Sequence, residues 1–270
     1  MNFSVQILGA ASAMPISDMN PSAQALQVQG RLFLIDCGEG TQQQMRRMHL
    51  SFLKVEAILL SHIHGDHVFG IFGMLSTMAM YGRTELLPIY APSSFGPILK
   101  FFTSYYGADL TFPVEHRVVK TDAPVEIFIN SSIRIQAFPL KHKIECYGYR
   151  FDEQLSERAA AKHRARSYAY CSDTMPFPEL AAYVRGVNVL YHEATYPVAL
   201  ADKAVAHFHS TTADAARCAA DAGVLRLLVG HYTSRIRDYS IFETECREIF
   251  QNTVAVRDGD IFEIPYIYTE

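Results

Sequence analysis

The chain has 270 residues, 49% of them hydrophobic, enough to bury a core as one large domain or two fused halves, and residues 1–270 are read as a single domain. A net charge of −4 argues against a generally basic nucleic-acid binder, so any polyanion has to be met by local patches. Five widely spaced cysteines without a Cys-x-x-Cys pair argue against a disulfide scaffold or a thiolate zinc knuckle, and no apolar run is long enough to span a bilayer; a cytoplasmic protein with no membrane partner is expected.

Short strand-like runs come first, at 4–8, 25–28 and 32–35, the last ending at Asp36-Cys37-Gly38-Glu39-Gly40. Thr41 is a plausible N-cap for a helix over 42–49. A buried strand is expected at 57–60, helices at 69–81 and 95–106, and strands at 89–91, 125–129 and 133–138. Beyond these come strands at 148–151, 168–171 and 187–191, a helix over 212–222, a strand at 225–229, a helix around 241–250 and a closing strand pair near Val254 and Ile261. Strands and helices alternating through both halves imply a layered α/β domain, with no internal sequence repeat and no low-complexity linker.

The densest chemistry lies at Ser61-His62-Ile63-His64-Gly65-Asp66-His67-Val68, directly after the run at 57–60. In extended backbone, side chains two apart share a side, so His62 and His64 can grip one ion, while Asp66 and His67, beyond the bend, reach a second position. Imidazole with carboxylate suits zinc and also manganese or iron. A centre of this kind needs further donors at strand ends. His142, Asp173 and His231 qualify, each just past an apolar run.

With these residues in view, the sequence resembles the metallo-β-lactamase superfamily and, within it, the ribonuclease Z family, which trims the 3′ end of precursor tRNA. The likeness runs through Asp36-Cys37-Gly38-Glu39-Gly40-Thr41-Gln42, the histidine motif continuing to Phe69-Gly70, Pro139-Leu140-Lys141-His142, Cys171-Ser172-Asp173-Thr174, His192-Glu193-Ala194-Thr195-Tyr196, His209-Ser210-Thr211 and Gly230-His231-Tyr232-Thr233-Ser234-Arg235. The resemblance implies an αββα four-layer sandwich of mixed sheets with outer helices and the metals at one rim. It implies one zinc ion held by His62, His64 and His142, a second by Asp66, His67 and His231, and Asp173 as the bridge. It also implies a precursor tRNA substrate and a homodimer.

Two such ions clamp a phosphodiester and bring a water's pKa down toward ~7 for in-line attack. Asp66 can ligate and also take that water's proton, or serve as a ligand alone. The leaving ribose oxygen needs a proton, for which His209, oriented by Glu193, is the chosen donor. His207 is a rival that spacing does not exclude, and both motif blocks could instead be caps and supports. Asp36 is read as a hydrogen-bonding prop for the metal loop. Lys141, Lys143, Arg235 and Arg237 flank proposed ligands and could meet phosphates or be solvated, Arg46 and Arg47 are open in the same way, and the basic run 162–166 reads rather as a solvated helix end or loop.

The sequence departs from the family in one large respect. The family carries a long Gly-Pro-rich arm that grips tRNA, whereas here the interval 152–167 is short and holds neither glycine nor proline. A relative acting on small phosphodiesters or sulfate esters is therefore the second reading, and a non-catalytic zinc scaffold a third. Phe72 stands where the family often has proline, with little consequence expected.

Overall fold

Along residues 31–35 the side chains alternate between two apolar environments: Leu32 and Leu34 join one core with Met45, Ile71 and Phe95, while Phe33 and Ile35 join another with Phe138, Tyr149 and Tyr170. Residues 57–60 do the same, Ala57 and Leu59 facing the second group, Ile58 and Leu60 the first. A strand buried on both faces belongs to a sheet covered on both sides, which is why these runs read as continuously apolar.

In this computed structural model, which describes residues 3–14 and 16–268, the first half runs β1 (Phe3–Gly9), β2 (Ala23–Val28), β3 (Arg31–Ile35), α1 (Thr41–Arg47), β4 (Val55–Leu59), α2 (Gly65–Val68), α3 (Ile71–Met80), β5 (Leu87–Pro92), α4 (Phe95–Tyr106) and β6 (Val114–Val119). The second half runs β7 (Val125–Ile129), β8 (Ile133–Pro139), β9 (Tyr147–Glu153), α5 (Glu157–Ala160), β10 (His163–Arg164), β11 (Ser167–Cys171), α6 (Leu180–Tyr183), β12 (Val189–Glu193), α7 (Ala201–His207), α8 (Thr212–Ala222), β13 (Arg226–Gly230), α9 (Ser240–Arg247), β14 (Thr253–Ala255), β15 (Ile261–Glu263) and β16 (Ile267–Tyr268).

Two seven-stranded sheets result, ordered β15-β1-β2-β3-β4-β5-β6 and β14-β13-β12-β11-β9-β8-β7, with β10 and β16 forming a separate ribbon. In each large sheet three successive antiparallel pairings are followed by three parallel ones. The halves thus repeat one plan that no sequence repeat betrays. Between the sheets lies a core rich in buried tyrosines, among them Tyr149, Tyr168, Tyr170 and Tyr191. The expected αββα sandwich is the observed fold.

Several local expectations are corrected. Thr41 does not cap α1: Gly40 takes that place at φ 84°, and the Thr41 hydroxyl donates instead to Gly38 O at 2.6 Å. A left-handed φ suits glycine, and once Gly40 has made the turn Thr41 lies inside the helix. The last strands do not pair with each other. β14 lies parallel to β13 in the second sheet and β15 antiparallel to β1 in the first, because Val256 to Asp260 crosses between the sheets, its Gly259 N–H bonding Ile7 O. The helix expected over 69–81 is α3, which starts just after Gly70, where a side chain would strike Gly38 O. Strand β6 and helix α7 were not foreseen. The first is a half-exposed edge, and the second buries only Ala204, so neither shows an apolar period.

Candidate metal centre

Strand β4 ends at Leu59 and delivers Ser61, His62 and His64 to the rim, after which one turn of α2 carries Asp66 and His67. The end of β8 leads to His142, that of β11 to Asp173 and that of β13 to His231. All seven donors, scattered over 62–231, meet at this rim. His64 Nδ1 lies 3.0 Å from His62 Nε2 and 3.2 Å from His142 Nε2, and Asp173 Oδ2 completes this set at 3.6 and 3.8 Å from His62 and His142. In the second set, His67 Nε2 and His231 Nε2 are 3.3 Å apart, Asp66 Oδ2 stands 3.4 and 3.3 Å from them, and Asp173 Oδ1 3.4 and 3.2 Å.

Donors about 2.0–2.1 Å from a tetrahedral ion stand roughly 3.3 Å from one another, so both sets fit such an ion, with one Asp173 oxygen in each. Asp173 Oδ1 is also buried with no hydrogen-bond partner, which costs free energy unless a cation neutralises it. In the first set protonation suits ligation. Burial, reinforced by His67, holds His62 well below the usual imidazole range, and burial likewise lowers His64 and His142, leaving neutral rings able to bind metal. Burial opposes charge on Asp66 and Asp173, but His67 and His231 outweigh it and hold both below the usual carboxylate range.

Several of these candidate ligands are gripped from behind. Asp36, at φ 56°, accepts from Ser61 N at 2.7 Å through Oδ1, and its Oδ2 receives Ser61 Oγ, Tyr170 OH and the His67 Nδ1 contact at 2.8 Å. Asp36 therefore braces the metal loop and lies in neither donor set. His142 Nδ1 meets Phe208 O at 3.0 Å, and His231 Nδ1 meets the Thr195 hydroxyl at 2.8 Å.

Beside the two sets, Glu193 and His209 form a pair. Glu193 Oε1 takes the amides of Thr174 and Ser210, each at 3.0 Å, and lies 2.9 Å from His209 Nδ1; Oε2 takes Thr195 N and Oγ1. His209 Nε2 points the other way, 4.0 Å from Asp173 Oδ2. Burial disfavours charge on this ring, yet the Glu193 and Asp173 carboxylates prevail and raise it to about 9. His207, at the end of α7, is exposed; its ring faces Tyr196 at 6.4 Å and its pKa is lowered, by what burial it has and then by Lys143.

A cleft of about 430 Å³ opens here, lined by His64, Asp66, His142, Asp173, His209 and His231 and rimmed by Lys143, Tyr196 and His207. Of the other flanking cations, Lys141 sits over the Phe177 ring at 4.9 Å, while Arg235, Arg237, Arg46 and Arg47 are exposed. Within the basic run Lys162 and Arg164 are exposed, just past the end of α5, as a solvated helix end would be. His163 and Arg164 pair with β16, and Arg166 is buried against Glu153 at 2.6 Å, at the end of β9 remote from the metal rim. The residue that sequence reasoning left unassigned is Thr195. It stands in the His192-Glu193-Ala194-Thr195-Tyr196 block, but only the fold brings its hydroxyl between His231 and Glu193.

Residues 31–232 match the family described as the Beta-lactamase superfamily domain. The chain is 33% identical to the ribonuclease Z of Bacteroides thetaiotaomicron, over 95% of this chain and 94% of that protein, and 34% identical to the ribonuclease Z of Azobacteroides pseudotrichonymphae, over 97% and 99%. The chain belongs to the ribonuclease Z family. Its fold is similar to the crystal structure of the short form of human tRNase Z, with a TM-score of 0.82, 25% identity and 97% and 99% of the two chains covered. The alignment with the Bacteroides protein runs to 300 positions against 270 residues here, so that relative carries at least 30 residues with no counterpart in this chain. The interval 152–167 contributes only a single helical turn, α5, and the two-residue β10.

Proposed function

We propose that this protein is a metal-dependent endoribonuclease that removes the 3′ trailer from precursor tRNA, cutting after the discriminator base. The observation that carries this reading is the meeting, in one cleft, of two four-donor sets and a hydrogen-bonded Glu193–His209 pair. Two zinc ions are the assigned cofactors, manganese and iron being compatible with the same donors: His62, His64, His142 and Asp173 hold one, Asp66, His67, His231 and Asp173 the other. When bound, such ions supply Lewis-acid stabilisation of phosphoryl charge and lower the pKa of water toward ~7.

The chain's own groups do the rest. Asp66 takes a proton from the attacking water at its carboxylate. Glu193 Oε1 holds the Nδ1 proton of His209, leaving Nε2–H to protonate the departing ribose O3′. Lys143, at the rim, pairs with a flanking phosphate. The same reading treats residues 1–270 as one domain, 152–167 as the shortened arm, and the cytoplasm as the location; no helix among the described residues is long and apolar enough to cross a membrane.

The second reading, a hydrolase of small phosphodiesters or sulfate esters, rests on the short 152–167 interval. Purified protein assayed on a precursor tRNA beside a bis-aryl phosphate, with and without chelator, separates the two. Cleavage of both substrates, each abolished by chelator, is expected; hydrolysis of the aryl ester alone overturns the tRNA assignment, and cleavage of neither by zinc-loaded protein overturns the enzyme.

We also propose a homodimer, supported by the exposed large apolar side chains on and near α3 and α4, where Phe69, Met80, Phe101 and Tyr105 are 68%, 78%, 65% and 71% exposed. Sedimentation is expected to give about twice the 30.4 kDa chain mass, and the double variant Phe101→Glu, Tyr105→Glu a monomer; a monomeric wild type sinks this assignment.

A further inference from the structure

Building on the reading above, we infer that Thr195 is a positioning residue whose hydroxyl joins the second metal set to the general acid. The side chain is 3% exposed and sits at the mouth of β12. Its Oγ1 lies 2.6 Å from Glu193 Oε2, 2.8 Å from His231 Nδ1 and 3.2 Å from His209 Nδ1. The ligand atoms of those three residues fall within 4.8 Å of one another, so the hydroxyl stands at a junction.

Hydrogen count fixes the direction of each bond. A hydroxyl has one proton to give and two lone pairs to receive. Ionised Glu193 has none to give, so Thr195 Oγ1–H donates to Oε2. His231 turns Nε2 toward Asp66 and Asp173, so its proton is on Nδ1 and is donated to Thr195. His209 Nδ1–H donates chiefly to Glu193 Oε1 at 2.9 Å, the shorter of its two contacts. A continuous chain therefore runs from the metal-facing nitrogen of His231 through Thr195 and Glu193 to His209. No proton moves along it during the reaction; the proton delivered to O3′ comes from His209 Nε2.

Two consequences follow from one hydroxyl. It keeps His231 in the tautomer that ligates, and it holds the Glu193 carboxylate in the plane that points His209 Nε2 into the cleft. A valine keeps the shape of threonine but offers His231 no acceptor and Glu193 no hydroxyl donor.

The test compares Thr195→Val and Thr195→Ser with wild type. Metal-free protein is titrated with zinc against a competing chelator, and turnover at saturating zinc is measured on precursor tRNA and on bis-(p-nitrophenyl) phosphate. The aryl leaving group needs no proton, so it reports on the metals and not on the acid. For Thr195→Val, zinc affinity is expected to fall about tenfold and RNA turnover at saturating zinc at least about tenfold, with aryl ester turnover within about threefold. Thr195→Ser is expected to recover all three. Equal loss on both substrates, unchanged zinc affinity, or a serine variant as impaired as the valine one overturns the junction. If valine prevents folding, Thr195→Ala replaces it under the same criteria. Wild-type activity on the two substrates tests the underlying assignment separately, since it does not depend on the variants.

Discussion

His64→Ala is expected to abolish turnover of precursor tRNA and aryl ester alike and to lower the zinc content of the purified protein. His64 Nδ1 is the closest donor to both His62 and His142 in the first set, at 3.0 and 3.2 Å. Without it, two imidazoles and one carboxylate oxygen remain, and the empty corner faces the open cleft, since His64 is only half-buried. Water can fill the corner but cannot hold the ion as tightly. Metals bound there would carry several kcal/mol of transition-state stabilisation, so the loss is expected to exceed about 10³-fold. Metal analysis beside both assays checks it. A variant that keeps full zinc and measurable turnover would remove His64 from the ligand set.

His209→Ala is expected to act differently, slowing RNA cleavage by about 10²–10⁴-fold while leaving zinc in place and the aryl ester nearly untouched. The ring makes its strongest contact with Glu193, at 2.9 Å, and its Nε2 is 4.0 Å from the nearest Asp173 oxygen. Loss of zinc in this variant would reassign His209 as a ligand; equal loss on both substrates would deny it the acid role. The sign of the pH dependence follows from the same pair. The carboxylates favour the imidazolium, which is the form that donates, so RNA turnover is expected to fall on the alkaline side. Glu193→Gln removes the charge that raises the His209 pKa, and the fall is expected to move to lower pH. A profile that stays put would disconnect Glu193 from the titrating group.

The contrast between His207 and His209 shows where local reading stops. Two residues apart, both were candidate donors on spacing alone. α7 ends in a left-handed residue, Phe208 at φ 61°, which turns the chain so that His209 enters the cleft while His207 stays on the helix at the rim. A backbone turn at a non-glycine residue leaves no signature in the sequence, and the turn is held by remote partners, among them the contact of Phe208 O with His142 Nδ1. The basic run 162–166 shows a related limit: charge density says nothing of which end of a strand a segment occupies, and Arg166, unlike the exposed Lys162 and Arg164, is tied to Glu153 inside the protein.

By itself, the sequence determined the strand runs that bury both faces, the donor types, and their placement just after those runs, because the two-residue alternation of a strand and the chemistry of imidazole and carboxylate are local properties. Only the tertiary structure decided that His67 and His231, 164 positions apart, stand 3.3 Å from each other, that the final strands part company between the sheets, and that the Thr195 hydroxyl lies between His231 and Glu193. Those distances depend on how two sheets of like plan stack and twist over a shared core, a sum over many weak contacts that no short segment encodes.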